Sequence, residues 1–135
     1  MDWKHLLLSF EGRAIRAKYW LVAALSFAIM LFAALVMAVA PGLGLLLVAV
    51  FSIALIWPAV AVGVKRLHDR DKSGWWLLLF YFLPGVLGML DDMLGGTIVL
   101  GAVSLAISVW ALVELGFLRG TVGPNRYGPD PLAAT

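Results

Sequence analysis

The longest uncharged stretch of the chain limits its possible folds more than any other feature. From Tyr19 to Val64 the sequence contains no Asp, Glu, Lys or Arg and is almost wholly apolar. One helix of this length would measure roughly 70 Å at ~1.5 Å per residue, about twice the ~30 Å of a bilayer's hydrocarbon core. The stretch therefore predicts two membrane-spanning helices, and Pro41-Gly42, a turn-forming pair, is the natural break between them.

The composition agrees with a lipid environment. Of the 135 residues, 63% are hydrophobic and 13% are charged, whereas a soluble domain averages about a quarter charged. A domain of this size exposes too much of its surface to hide so many apolar side chains from water. The absence of cysteine excludes disulfides, thiolate metal sites and a cysteine nucleophile.

The apolar pattern predicts an all-α membrane protein that forms one domain over residues 1–135. Four transmembrane helices are expected, as two antiparallel hairpins, at about 19–40, 43–64, 74–90 and 97–118. A tail over 119–135 follows the last helix and is too rich in Gly and Pro to be helical. The third helix contains Pro84, which can kink a membrane helix without ending it, so its continuity through this residue is left open.

The N-terminal segment over 1–18 is mixed rather than apolar. Trp3, Leu6, Leu7 and Phe10 recur with helical spacing on one face. This periodicity predicts a short amphipathic helix that lies in the membrane interface.

Lysine and arginine are sorted to one side of the predicted topology. All ten fall in the N-terminal segment, the link between the second and third helices, and the tail. They are Lys4, Arg13, Arg16 and Lys18; Lys65, Arg66, Arg70 and Lys72; and Arg119 and Arg126. Short basic loops stay in the cytoplasm. We therefore expect both termini and the link over residues 65–72 to be cytoplasmic.

The cytoplasmic pieces contain the candidate site, for which two interpretations remain open. In the first, Arg13 and Arg16 share a helical face and clamp an anionic lipid headgroup together with the link. In the second, the pieces bind one another through buried ion pairs and form a structural cluster. The candidates under both are Arg13, Arg16, Lys65, Arg66, His68, Asp69, Asn125, Arg126, Tyr127 and Asp130.

Catalytic and metal sites find little support in the sequence. His68 and Asp69 are adjacent, so on a helix their side chains point about 100° apart and cannot orient each other. The chain has two histidines in all, whereas a closed metal site takes about four ligands. No catalytic, cofactor or metal-binding residue is predicted, and no cofactor.

Glu114 is the one ionisable residue inside a predicted span. Such residues are functional candidates by default. Its helix ends about one turn later, where a negative charge opposes the helix dipole, so a basic partner such as Lys65 or Arg119, or access to headgroup water, is expected. The alternative is a proton-coupled role in a small transporter or channel.

Three motifs resemble a known family. They are "FEGRAIRAKYW" (Phe10–Trp20), "VKRLHDRDKSGWW" (Val64–Trp76) and "GTVGPNRYGPDP" (Gly120–Pro131). In this order they resemble the YhaH/YhaI-like family of small bacterial inner-membrane proteins, which is catalogued as a domain of unknown function. The resemblance implies a bacterial inner membrane and supplies no activity.

The expected function is that of a small, non-enzymatic inner-membrane protein that organises lipid or a protein partner through its basic cytoplasmic face. A small oligomeric transporter or channel that uses Glu114 is the alternative, and a membrane enzyme acting on lipid headgroups comes third. The expected partners are membrane lipids, preferentially anionic, with a second copy or a membrane-protein partner left open and nucleic acid not expected.

Overall fold

The structure is a computed structural model that describes residues 2–133. All regular secondary structure elements within this range are helices. The outermost residues of the predicted domain lie outside it. The α-helices are α1 (Trp3–Leu8), α2 (Arg16–Val39), α3 (Pro41–Asp69), α4 (Leu83–Met93) and α5 (Ile98–Leu112). Two π-helical segments adjoin them, one before α4 (Leu78–Phe82) and one after α5 (Val113–Phe117).

Three helices are long and apolar enough to cross a membrane. They are Arg16–Val39, Pro41–Asp69 and Ile98–Phe117, and they correspond to the first, second and fourth predicted spans. α2 and α3 are separated by Ala40 alone, next to the predicted Pro41-Gly42 break. The predicted link starts as helix, because α3 continues through Asp69, and the first charges of the link form its last turn.

The third predicted span is a shorter helix that is continuous through Pro84. From Leu78 to Met93 the helical backbone measures about 24 Å at ~1.5 Å per residue. A proline ring clashes with the carbonyl four residues earlier in an α-helix. Here the preceding turn is π-helical, and the N–H of Leu83 donates to Leu78 O, five residues earlier. The arrangement of four membrane-spanning helices stays a prediction.

The N-terminal segment is helical only at its start. Asp2 caps α1 by accepting a hydrogen bond from the N–H of His5 at 3.1 Å, and Leu6 is buried against Val62 of α3. Residues 9–15 are not helical, so the prediction that Arg13 and Arg16 share a helical face was wrong. Placement of α1 in the membrane interface stays a prediction.

The helices pack in two pairs that meet at one end. α2 packs on α3 and α4 packs on α5, but in the described part of the chain no Cα atom of the first pair lies within 8 Å of one in the second. The pairs are joined near the charged residues by an apolar cluster of Leu67, Leu77, Phe80, Ala111 and Leu115. The contacts at this end therefore hold the two pairs together.

The turn between α2 and α3 provides a test of the packing. A Cβ atom at Gly44 would overlap the backbone of Met37, whereas one at Gly42 would meet no atom within 4 Å. We expect Gly44→Ala to lower the free energy of unfolding by about 1–3 kcal/mol, the usual cost of overpacking. Thermal unfolding in detergent micelles measures the change.

Gly42→Ala is the matched control, in the same helical turn, and should leave the melting temperature unchanged or slightly raised because alanine favours the helix. Equal melting temperatures for the two variants would contradict the observed packing of α2 on α3.

Candidate functional site: a polar cap at one end of the helices

Residues 9–16, 65–77 and 114–132 fold together at the end where the helix pairs meet, and we name them the polar cap. Among the described residues, Lys65, Arg66, Asp69 and Glu114 are the charged residues buried as a whole, the Arg13 side chain is 1% exposed, and all five belong to it. Every buried side-chain nitrogen and oxygen in this part of the chain has a hydrogen-bond partner. The buried polar atoms of the polar cap thus find their hydrogen-bond partners within the protein.

The carboxylate of Asp69 lies between two guanidinium groups. Arg66 donates from Nη1 to Oδ2 at 2.6 Å, and Arg13 donates from Nε to Oδ1 at 3.0 Å. All three side chains are at most 5% exposed. Burial of charge costs several kcal/mol per ion unless the ions are paired and hydrogen-bonded, and here both carboxylate oxygens are engaged.

Arg66 also caps the last membrane-spanning helix. Its Nε donates to Leu115 O at 2.7 Å, and its Nη2 donates to Leu118 O. Trp20 Nε1 donates to Gly116 O, between them, at 2.9 Å. The last carbonyls of a helix lack partners within it and carry the negative end of its dipole. A cation from α3 therefore satisfies the end of a helix in the other pair.

Lys65 caps the C-terminal end of α1. Its Nζ donates to His5 O and, at 2.7 Å, to Leu6 O. Successive residues on a helix point about 100° apart, so Lys65 and Arg66 reach two different helix ends. Lys65 has no carboxylate partner among the described residues, contrary to its expected pairing with Glu114.

The tail is bound to the same cluster. Arg13 donates to Thr121 O at 2.6 Å and to Gly123 O at 2.7 Å. The N–H of Thr121 donates to Asp69 O at 2.8 Å, which satisfies a terminal carbonyl of α3. A Cβ atom at Gly120 would overlap the Asp69 carboxylate, so this approach requires glycine.

A tight turn in the tail covers His68. Asn125 and Gly128 exchange backbone hydrogen bonds at 3.0 and 3.1 Å, and Asn125 Nδ2 donates to His68 O at 2.8 Å. The Tyr127 ring at the tip stacks on the imidazole at a centroid distance of 3.8 Å. His68 Nδ1 lies 3.2 Å from Gly12 O. His68 is thus held by the N-terminal segment and the tail.

Two further candidates make local contacts. Arg126 pairs with Asp71 at 3.1 Å, but both side chains are well exposed, and such pairs contribute little. Asp130 accepts hydrogen bonds from the N–H groups of Leu132 and Gly123, both at 2.9 Å. These two donors lower the pKa of the Asp130 carboxyl. Asp130 thus orders the tail backbone and forms no ion pair with an arginine in the described residues.

Glu114 has two basic partners, though not the ones expected. Its Oε1 accepts from Arg70 Nε at 2.5 Å and from Lys72 Nζ at 2.7 Å. The π-helical segment that contains Glu114 places this carboxylate toward the link after α3. Both of its partners therefore come from the charged link, rather than from Lys65 or Arg119.

Two arginines are left largely unoccupied. Arg16 makes one long contact, from Nη1 to Phe117 O at 3.3 Å, and no described residue accepts a hydrogen bond from the Arg119 side chain. Both line a cleft of about 160 Å³ whose other residues include Asp69 and Gly120. This cleft is thus lined by the two arginines that have the fewest partners within the polar cap.

Sequence reasoning missed several members of the polar cap. Lys72 and Thr121 were not candidates, Arg70 was considered only as part of the charged link, and Arg119 only as a partner of Glu114. One signal was available for Arg70 and Lys72, because a buried acid near the end of a span needs a cation and these two had no other assigned partner. Thr121 acts through its backbone, which the sequence pattern does not reveal.

The fold and the polar cap define a small, multi-helix integral membrane protein. A family model described as "Protein of unknown function (DUF805)" matches residues 7–129. The chain therefore belongs to this family, and the resemblance stated from its motifs is confirmed.

Three of the curated relatives are proteins of Escherichia coli K12. The chain is 36% identical to the uncharacterized protein YiiR, across 92% of this chain and 86% of that protein. It is 33% identical to inner membrane protein YhaI, with the same two coverages, and 31% identical to inner membrane protein YhaH, across 97% of each. No solved structure matches the chain. The relatives and the three apolar helices support a multi-pass location in the inner membrane, and they indicate no enzymatic activity.

The two aspartates of the link allow a direct test of the Asp69 cluster. We expect Asp69→Asn to lower the free energy of unfolding by about 3–5 kcal/mol, because it leaves two buried guanidinium groups without a counter-charge. Asp71→Asn, which removes an exposed pair, should cost about 0–1 kcal/mol. Denaturant unfolding in mild detergent measures both, and a cost for Asp69→Asn no greater than for Asp71→Asn would refute a stabilising role for the cluster.

Proposed function

We propose that the chain is a single-domain, non-enzymatic inner-membrane protein that organises anionic lipid through the cytoplasmic face of its polar cap. The observation that carries this proposal is the cleft between Arg16 and Arg119. Both guanidinium groups are largely free, and arginine binds phosphate oxygens through two parallel N–H groups. The function therefore rests on the arginines that the fold does not use.

The other basic candidates are occupied. Arg13 and Arg66 are at most 1% exposed and donate to Asp69 and to backbone carbonyls. A lipid phosphate would have to displace these bonds to reach them. The headgroup site expected between Arg13 and Arg16 is therefore better placed between Arg16 and Arg119.

The electrostatic surroundings favour an anion. Arg13, Arg66 and Asp69 together carry a formal charge of about +1, so the floor of the cleft is not acidic even though Asp69 lines it. The cleft has a volume of about 160 Å³, which is several times what a single water molecule needs. This space suits a phosphate group, which has five heavy atoms.

The proposed orientation puts both termini and the polar cap in the cytoplasm. It rests on the sorting of Lys and Arg to this end. The inner leaflet carries a negative surface potential, and each basic residue near it gains about 1 kcal/mol. The same orientation thus accounts for topology and for lipid attraction.

Single cysteines test the orientation, since the natural chain has none. Val122 in the tail and Leu94 between α4 and α5 are similarly exposed, at 74% and 67%. We expect a membrane-impermeant maleimide to label Leu94→Cys in intact cells, and to label Val122→Cys only after the membrane is opened. Labelling of Val122→Cys in intact cells would reverse the proposed topology.

Charge removal tests the lipid site. We expect the double variant Arg16→Ala with Arg119→Ala to bind phosphatidylglycerol about thirtyfold more weakly, since two basic residues at ~1 kcal/mol each are lost. Titration of the purified chain in neutral detergent with short-chain phosphatidylglycerol measures this, and phosphatidylcholine gives the baseline.

Arg126→Ala is the matched control, because it also removes an exposed arginine from the polar cap but lies outside the cleft. It should leave the affinity within about twofold. An unchanged affinity in the double variant, with the fold intact, would reject the lipid site and favour a protein partner at the same face.

The alternative of a transporter gains no support from Glu114. A proton relay needs a carboxylate that can release and take up its proton, whereas Glu114 accepts from Arg70 and Lys72 through one oxygen. No other charged residue lies between positions 19 and 64 or between 98 and 113. A conducting path would therefore need several copies of the chain.

A further inference from the structure

A second, larger cleft lies in the polar cap, beside α3. Its volume is about 540 Å³, and its lining includes Val60, Val64, His68, Ser73, Trp75 and Tyr127. Val60, Val64 and His68 follow one another at four-residue spacing on one face of α3. An apolar groove therefore leads along the helix to one polar end.

His68 lines this end of the cleft and has one ring nitrogen without a partner among the described residues. A carbonyl oxygen only accepts, so the 3.2 Å contact with Gly12 O places a proton on Nδ1. In the neutral ring, Nε2 then carries the lone pair. No described residue binds Nε2. Every buried side-chain nitrogen in the described residues has a hydrogen-bond partner, so the unpartnered Nε2 must be accessible from the surface.

Ser73 adds a donor to the same cleft. Its Oγ accepts a long contact from the N–H of Trp75 at 3.4 Å, and its hydroxyl proton has no acceptor among the described residues. The hydroxyl can therefore donate to a phosphate oxygen. The cleft combines one acceptor and one donor at the end of an apolar groove.

The lining favours an ammonium group over a bare anion. No Lys or Arg lines the cleft. The ring of Trp75, which is 78% exposed, offers a π face that attracts a cation.

We propose that this cleft binds one phospholipid with a primary ammonium headgroup, of the ethanolamine type. The ammonium donates to His68 Nε2 and lies against Trp75, the phosphate accepts from Ser73, and an acyl chain follows Val60 and Val64. This site is separate from the Arg16–Arg119 cleft and selects a different headgroup.

The headgroup preference is tested on the full chain in neutral detergent with short-chain lipids. We expect phosphatidylethanolamine to bind about tenfold more tightly than phosphatidylcholine, whose quaternary ammonium has no N–H to donate. Equal affinities for the two lipids would overturn the proposal.

Two substitutions of His68 separate its ring nitrogens. His68→Asn keeps a donor for Gly12 O and removes the Nε2 acceptor, and it should abolish the preference for phosphatidylethanolamine. His68→Gln places an amide oxygen near the position of Nε2 and should retain most of the preference. Retention in His68→Asn would overturn the role of Nε2.

A second variant keeps the test independent of folding effects at His68. Trp75→Ala removes an exposed ring and should weaken phosphatidylethanolamine binding about tenfold. Phe82→Ala is the matched control, since Phe82 is 66% exposed and lies outside the cleft. Equal losses in the two variants would show unspecific lipid contact and reject the site.

Discussion

The rest of the structure depends on the ion pairs that the Asp69 carboxylate forms with Arg13 and Arg66. Away from the polar cap, α2 and α3 have no Cα atom within 8 Å of one in α4 or α5. They are joined at one end, where Arg66 binds both Asp69 at the end of α3 and the last carbonyls after α5. Arg13 links the same carboxylate to the tail. One carboxylate thus connects the N-terminal segment, two membrane-spanning helices and the tail.

The positions of the charges follow from a problem that every membrane helix has at its ends. The terminal carbonyls have no partner within the helix, and the lipid cannot supply one. At the polar cap, α1, α3 and the π-helical segment after α5 all end. Side chains from neighbouring segments donate hydrogen bonds to their terminal carbonyls. The concentration of charge after Val64 is explained by this requirement, because Lys65 and Arg66 cap two different helices. Five of the ten basic residues are therefore bound within the polar cap, namely Arg13, Lys65, Arg66, Arg70 and Lys72.

This use of the cations separates the residues that build the cap from those that remain for partners. Arg13, Arg66, Arg70 and Lys72 are bound to carboxylates or carbonyls, whereas Arg16 and Arg119 have little to bind. The sequence pattern predicted the cluster as a set but could not make this division, because the formal charge of an arginine is the same in both roles. Whether an arginine is occupied depends on backbone acceptors such as Leu115 O and Gly123 O. These acceptors have no signature in the side-chain pattern.

The sequence by itself determined that the chain is helical and membrane-embedded, and that its basic residues gather at one end. Those properties depend on hydropathy, length and charge, which are sums over residues. Only the tertiary structure decided that helix continues through Pro84, that Arg13 lies outside the helix of Arg16, and that Glu114 pairs with Arg70 and Lys72. These outcomes depend on which backbone groups are left unsatisfied when distant segments meet, and that is a property of the packed chain.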